Sequence, residues 1–348
     1  MPTEATSGRA IDEAVAAILR GELIGLPTET VYGLAGDASN RKAIETIYRV
    51  KGRPTDHPLI VHVASREEAA RWGVWNDSAE RLAAAFWPGP LTIVLARQAD
   101  ASPLACAGQS TVALRVPSHP VARQLLARSH AAGIAGIAAP SANRFGRISP
   151  TRASHVRADL GDEIAIVLDG GDAQVGIEST IVDLSRIGCR SDQAASNVHG
   201  LVLRPGHLSS EQIARVLGVQ AGALDAVRVA RDVIPRVPGS HQSHYAPVTP
   251  LRVVGSDLLA EVLAQALRKH DRVALWSRAK PDSAQVRWLE QPATLEALEQ
   301  TLYSSLRKLD AFEAPLILVE RFAPIDADFT SSDPAWAGIA DRLRRAAA

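Results

Sequence analysis

Pro27-Thr28-Glu29-Thr30-Val31-Tyr32-Gly33-Leu34 is the stretch around which the rest of the chain is read. It leaves a short apolar strand, Leu23–Leu26, through a proline and a run of hydroxyl side chains. In open α/β folds small ligands sit beyond the carboxyl ends of strands, so this turn places Thr28, Thr30 and Tyr32 at a ligand-facing edge. Next comes a helix over Arg41–Val50, with Ala43, Ile44, Ile47 and Tyr48 on its apolar side. It delivers Lys51-Gly52-Arg53-Pro54, and because Pro54 cannot continue a helix, both cations are expected on a loop. Hydroxyls suited to a small zwitterion beside cations suited to phosphate outline a site that joins a small polar molecule to a nucleotide.

Outward from there, strands and helices alternate. Leu59–Val63 reads as a buried strand that contains His62, and Leu91–Ala96 as another. In Thr111-Val112-Ala113-Leu114-Arg115-Val116 the period of two puts Thr111, Ala113 and Arg115 on one face and the aliphatic residues on the other. Pro140-Ser141-Ala142-Asn143, Ser149-Pro150-Thr151 and Glu178-Ser179-Thr180 follow or enter strands through polar turns. Leu201–Arg204 ends a strand with an arginine. The pattern indicates an α/β catalytic domain over 1–219. A proline-marked linker over 220–250 contains Pro235, Pro238, Pro247 and Pro250, and a smaller α/β domain over 251–348 completes the chain. The strands expected in that last domain are Leu251–Val254, Val273–Trp276 and Leu316–Glu320.

Composition narrows the classes. Of 348 residues, 38 are basic and 38 acidic, so no net charge draws the chain to nucleic acid or to a membrane surface. Cys106 and Cys189 are the only cysteines, which argues against a cysteine metal site or a disulfide framework. The start lacks the apolar stretch of a signal peptide, and no apolar run approaches a bilayer-spanning length, so a cytoplasmic location is expected. None of the five lysines lies in a G-x-x-x-x-G-K-[ST] loop, and G-x-G-x-x-G, H-E-x-x-H, C-x-x-C and G-x-S-x-G are absent. The chemistry-bearing residues are instead distributed over element ends. Taken singly, each also has a structural reading: His62 as a hydrogen-bonded core residue, Ser141 and Asn143 as cap and turn, Arg204 as a solvated strand end.

Taken together they resemble a known family. The opening stretch, Lys51-x-Arg53-Pro54, His57-Pro58-Leu59-Ile60-Val61-His62 and Trp87-Pro88-Gly89-Pro90-Leu91-Thr92 are similar to the YrdC-like threonylcarbamoyl-adenylate synthases. So are Val112–Pro117, Ala139–Asn143, Glu178–Ile181 and Leu203–Gly206, in order and at compatible spacing. Pro238-Gly239 with His244-Tyr245-Ala246-Pro247 resembles the linker of the family's long form. Within it, Ser240–Ser243 stands where relatives often carry lysine, and Asp326–Pro334 has no counterpart.

The resemblance implies a YrdC-like twisted mixed sheet with helices around a concave basic site, plus a smaller Rossmann-like α/β C-terminal domain. It implies a nucleotidyltransferase that makes L-threonylcarbamoyl-AMP and pyrophosphate from L-threonine, bicarbonate or CO2, and ATP. Mg2+ is expected to accompany the ATP, with no metal site on the protein. The product serves threonylcarbamoylation of adenosine 37 in tRNA through downstream modification proteins. Carried over by position, Thr30, His62, Arg115, the backbone at Ala139, and Ser179 hold threonine. Arg53, His57, Thr111, Ser141, Asn143, Ser149, Arg204 and Tyr245 hold the nucleotide, and Lys51 and Arg53 stabilise phosphate charge. The alternatives are an RNA-binding module and a carbamoyl-transfer enzyme that shares the YrdC-like domain. The neutral charge and few aromatics oppose the first, and two isolated cysteines oppose the second. Between the two domains, Tyr245 is expected to act as a lid over the site.

Overall fold

A computed structural model describes residues 8–187, 200–224, 234–239, 244–331 and 333–348; Cys189 and the Ser240–Ser243 stretch lie outside them. The first sheet has nine strands: β1 (Ile24–Leu26), β2 (Gly33–Asp37), β3 (Ile60–His62), β4 (Leu91–Ala96), β5 (Thr111–Arg115), β6 (Ile137–Ala138), β7 (Ile166–Val167), β8 (Thr180–Asp183) and β9 (Leu201–Arg204). Their order is β7-β1-β2-β6-β3-β5-β4-β8-β9, with parallel and antiparallel pairs mixed. The second sheet, β10 (Leu251–Val254), β11 (Val273–Ser277), β12 (Val286–Glu290) and β13 (Ile317–Glu320), is entirely parallel in the order β10-β13-β11-β12. β12 was not among the expected strands. It is an edge strand whose central residues are only partly buried, so Val286-Arg287-Trp288-Leu289-Glu290 carries no continuous apolar run.

Helices α1 (Gly8–Leu19), α2 (Arg41–Lys51), α3 (Arg66–Ala69), α4 (Asp77–Phe86), α5 (Pro120–Ala131), α6 (Ala153–Leu160) and α7 (Ser210–Leu217) cover the first sheet. α1 and α5 share one core with β1, built on Ile11, Ile18, Leu125 and Ile24. The other core takes Ile44 and Ile47 of α2, Leu82 of α4, Ile213 of α7, and Val112 and Leu114 of β5. Ala113 belongs to a separate cluster with Ile60, Ile181 and the linker residue Val237, so the alternation in β5 does divide two faces. Arg115 shares the face that the linker crosses.

The α2 terminus corrects the sequence reading. Asn40 caps the helix by accepting from the Ala43 N–H, and the stop comes one residue later than expected, at Gly52. Gly52 is left-handed (φ 64°), and its N–H closes on the Tyr48 and Arg49 carbonyls. Lys51 is therefore the last helical residue, buried and turned inward, and only Arg53 lies on the loop.

α8 (Leu259–Lys269), α9 (Leu295–Asp310) and α10 (Ala337–Ala346) complete the second domain. The two domains share one apolar cluster, in which Val31, Ile148 and Ile177 meet Trp276, Tyr303 and Ile339. The approach is close enough to demand glycine. A Cβ on Gly176 (φ +81°) would lie 2.4 Å from the Glu299 carbonyl oxygen of α9. Arg307 of α9 also donates to Asp159 at 2.5 and 2.9 Å. The chain beyond Leu217 is still packed on the first domain at Leu224, which is fully buried in its core.

Candidate active site

The opening stretch connects β1 to β2, and its hydroxyls organise it. Thr28 Oγ1 donates to the Val31 carbonyl at 2.6 Å and accepts from the Val31 N–H at 3.2 Å, which folds the turn on itself. Thr30 Oγ1 lies 2.9 Å from Thr28 Oγ1 and accepts from Arg115 Nη1 at 2.8 Å. Gly33 is needed next, since a Cβ there would sit 3.0 Å from the Ala139 Cβ. Tyr32 points away from this wall: its hydroxyl donates to the Gly171 carbonyl at 2.7 Å within the first core. The expectation that it faces ligand is corrected by that bond.

A cavity opens in front of the turn. Its walls take Thr28 and Thr30 from the turn, His62 from β3 and Arg115 from β5. Ala139, Pro140 and Ser141 follow β6, and Glu178 and Ser179 precede β8. Arg53, Arg204 and the linker residues Pro238, Gly239, His244 and Tyr245 complete it. Of the residues assigned from sequence, Thr30, Arg53, His62, Arg115, Ala139, Ser141, Ser179, Arg204 and Tyr245 thus converge. Lys51, His57, Thr111, Asn143 and Ser149 do not form its wall. Thr111 stands at the far end of β5 from Arg115, four residues of extended chain away.

Lys51 is a support. Its ammonium donates to the carbonyls of Ser141 (2.6 Å) and Asn143 (2.7 Å), pinning the loop that carries Ser141. Burial, then the neighbouring Arg53 charge, hold its pKa well below the usual lysine value. Asn143 behaves similarly, donating to the Arg144 and Arg147 carbonyls, with Oδ1 buried and unpartnered among the described residues.

The arginines differ in what they have left to offer. A guanidinium carries five N–H donors. Arg115 spends three, on Gly89 O (3.2 Å), Thr30 Oγ1 (2.8 Å) and Glu29 Oε1 (2.7 Å). Arg53 spends two, on His57 O (3.5 Å) and Pro58 O (3.0 Å), so more of its fork remains for a ligand. Arg204 is committed to Ser179 O, Ser179 Oγ and Pro238 O, which makes it chiefly a brace between β9, Ser179 and the linker. Burial lowers Arg53 to about 10, so it is charged at neutral pH.

His62 pairs in register with Arg115 across β3 and β5. Burial, then the Arg115 charge, push its pKa down to about 3, so the ring is neutral at pH 7. Ala139 offers only its carbonyl, because its N–H already donates to Ile60 O at 3.2 Å. Ser179 Oγ sits 2.8 Å from Thr92 Oγ1 and accepts from Arg204 Nη2 at 3.1 Å.

Two carboxylates that sequence reading did not single out support this wall, Glu29 from behind it and Glu178 as part of it. Glu29 pairs with Arg115 inside the protein, both side chains 5 % exposed. Burial pushes the Glu29 carboxyl up, but the Arg115 charge and hydrogen bond more than reverse this and keep it below the usual carboxylate value. Glu178 accepts from Ser149 Oγ at 2.5 Å, Tyr303 Oη at 2.7 Å and Arg342 Nε at 3.0 Å. Both acids stand inside quoted motifs, but their partners are distant in sequence and no periodicity announces them.

Tyr245 enters from the linker with φ 61°, an uncommon conformation for a ring side chain, and is 1 % exposed. Its ring lies under the Arg342 guanidinium (5.3 Å) and beside Tyr303 (5.7 Å). Of the cavity-lining residues, His62 Nδ1, His244 Nδ1 and Tyr245 Oη are buried with no partner among the described residues. Buried polar atoms are normally satisfied, so their concentration around one cavity marks a place where a polar ligand completes the bonding. The same residues include no cluster of His, Cys, Asp and Glu able to hold a metal, and no helix long and apolar enough to cross a membrane.

Comparisons with known proteins identify the family and the fold. A family model described as "Telomere recombination" (Sua5/YciO/YrdC) matches residues 16–192, and one described as "Threonylcarbamoyl-AMP synthase, C-terminal domain" matches 208–348. A Bacillus subtilis protein named threonylcarbamoyl-AMP synthase is 38% identical over 91% of this chain and 89% of its own length. One of the same name from Pyrococcus abyssi is 35% identical over 88% and 87%. The crystal structure of P. abyssi Sua5 complexed with L-threonine superposes with a TM-score of 0.83 at 32% identity, covering 98% of this chain and 95% of that one. With both parts matched and relatives aligned over nearly their full length, this chain belongs to the threonylcarbamoyl-AMP synthase family.

Proposed function

We propose that this protein makes L-threonylcarbamoyl-AMP and pyrophosphate from L-threonine, bicarbonate or CO2, and ATP, for threonylcarbamoylation of adenosine 37 in tRNA. The observation that carries the reading is the cavity itself. A buried arginine with N–H donors to spare (Arg115), a neutral histidine (His62) and a threonine hydroxyl (Thr30) line it together with a second arginine (Arg53) that has more of its donors left. The first group suits an amino acid's carboxylate and amine, and the second suits phosphate oxygens.

Chemically, the threonine amine adds to CO2 and loses a proton, giving a carbamate. A carbamate oxygen then attacks the α-phosphorus, the bond to the β-phosphate bridging oxygen breaks, and pyrophosphate leaves. No side-chain nucleophile is required. The protein's task is alignment of the carbamate with the α-phosphate and stabilisation of charge on the phosphate oxygens. Arg115 and Thr30 orient threonine, with the Ala139 carbonyl and Ser179 as further contacts. Arg53 meets the phosphates, which bring their own Mg2+ as part of the substrate. Lys51 acts through the Ser141 loop, and Asn143 Oδ1, His57, Ser149 and Thr111 belong to the surroundings of the nucleotide.

As it stands the cavity holds only about 50 Å³, far below the several hundred typical of a pocket for a nucleotide-sized ligand. The linker residues Pro238, Gly239, His244 and Tyr245 line it, and a shift of the linker is expected to make room for ATP. A small cavity lined by buried polar side chains favours this reading over an RNA-binding face. The downstream modification proteins and a cytoplasmic site of action belong to the same proposal. Carbon-labelled bicarbonate tests it: label must appear in an adenylate that also carries labelled threonine. An adenylate that lacks the bicarbonate carbon, or one formed without threonine, overturns the assignment.

A further inference from the structure

Two carboxylates divide the back of the site between them. Glu29 holds Arg115, and through it Thr30, on the amino-acid side. Glu178 stands behind the residues assigned to the nucleotide, and the C-terminal domain holds it in place. Its Oε1 accepts from Ser149 Oγ (2.5 Å), and its Oε2 from Tyr303 Oη (2.7 Å) and Arg342 Nε (3.0 Å). Tyr303 lies on α9 and Arg342 on α10. The Arg342 side chain is completely buried, donates to Pro205 O at 2.5 Å, and covers the Tyr245 ring at 5.3 Å. The next residue, Ser179, carries the carbonyl that Arg204 grips at 2.9 and 3.1 Å.

From this geometry we infer that Glu178, Arg342 and Tyr303 are positioning residues for the nucleotide half of the site, so the C-terminal domain builds ATP affinity through one shared carboxylate. The inference rests on the proposed function, because it takes Ser149 as part of the nucleotide's surroundings, and Arg204 and Tyr245 as the brace and the linker ring that shape that side of the cavity. Three independent bonds fix the carboxylate in two dimensions, and a buried ion pair with this geometry is costly to break from either side. Arg342 also ties the linker's ring to the same anchor, so ordering Tyr245 and ordering Ser149 are one event. Among the described residues, the bond that joins the threonine side to this cluster is that of Arg204 to Ser179 Oγ.

The test uses the full chain with Arg342→Met, Arg342→Lys and Tyr303→Phe. Binding of an ATP analogue with a methylene bridge between the α- and β-phosphorus atoms, and of threonine, is measured by calorimetry. Arg342→Met is expected to weaken the analogue at least tenfold while threonine affinity moves less than threefold. Arg342→Lys, which keeps a charge for Glu178, is expected to recover most of that loss. Should Arg342→Met not fold, Tyr303→Phe decides, with an expected loss of about threefold or more for the analogue. Unchanged analogue binding in a folded variant overturns the inference. So does an equal loss of both ligands that follows the fall in melting temperature, which is a purely structural role. If the parent chain itself does not bind the analogue, the functional reading fails separately. Positioning is then read from hydrogen exchange at the His244 and Ala246 amides, which bond Arg345 O and Gly146 O. Faster exchange by tenfold in Arg342→Met, or in Tyr303→Phe where Arg342→Met does not fold, supports the anchor, and unchanged exchange removes it.

Discussion

Replacing Arg115 by methionine separates what this residue does for the fold from what it does for threonine. The side chain is 5 % exposed and is paired at 2.7 Å with Glu29, whose other oxygen has no partner among the described residues. Removing the cation leaves a buried carboxylate uncompensated, a loss of about 3–5 kcal/mol. For a domain of this size that corresponds to a fall in melting temperature of about 6–20 °C. Adding Glu29→Gln removes the stranded charge and is expected to return most of the stability. Threonine binding should not return with it. A hydrogen bond from a charged donor contributes about 1.5–3 kcal/mol, so each bond lost to the threonine carboxylate weakens affinity about 10- to 150-fold. Thermal melts and calorimetric titration of threonine on the parent, single and double variants give the answer. A melting temperature unchanged within 2 °C of the parent in the single variant refutes the buried-pair argument. Parent-like threonine affinity in the folded double variant refutes the substrate role.

Arg53→Ala should lower the rate of pyrophosphate release about 10²- to 10³-fold, by loss of one charge-stabilising donor, and steady-state kinetics showing less than a threefold fall would remove it from the phosphate side. Stability should fall on acidification. His62 and His244 are buried and depressed to about 3, so the native state stays unprotonated while the unfolded chain takes up protons below about 6.5. Their contribution is complete above that pH and is lost between there and about 3, at up to about 1.4 kcal/mol per pH unit for each ring. Urea melts at pH 7, 6 and 5 should show the slope, and flat stability across that range contradicts the burial of these rings. Gly176→Ala places a methyl against the backbone of α9 in a residue with φ +81°, so the domain contact should loosen and the melting temperature drop by several degrees, as calorimetry would register. A drop of under one degree would mean that α9 yields without cost.

Much of this site was legible in the chain because its parts sit where elements end. Strand alternation identified the Arg115 face, and the hydroxyl-rich turn identified Thr28 and Thr30. Local pattern failed where an outcome depended on distant partners. Tyr32 looks like its neighbours in sequence, yet turns inward to bond a glycine carbonyl 139 positions away. Pro54 reads in sequence as the stop and so puts Lys51 on a loop, whereas Gly52 ends the helix and leaves the ammonium bonded to the Ser141 carbonyl. Glu178 gains its meaning from an arginine 164 positions later on another domain, which no spacing rule reaches. β12 escaped because an edge strand exposes its middle and need not be continuously apolar.

The central claim is that threonine, a carbon dioxide source and ATP react together in the cavity behind the linker. Pyrophosphate release, measured with each of the three omitted in turn, tests it most directly. The account predicts release only with all three present, and bicarbonate-depleted buffer should suppress it as completely as the absence of threonine. Release that continues without threonine or without bicarbonate would contradict it.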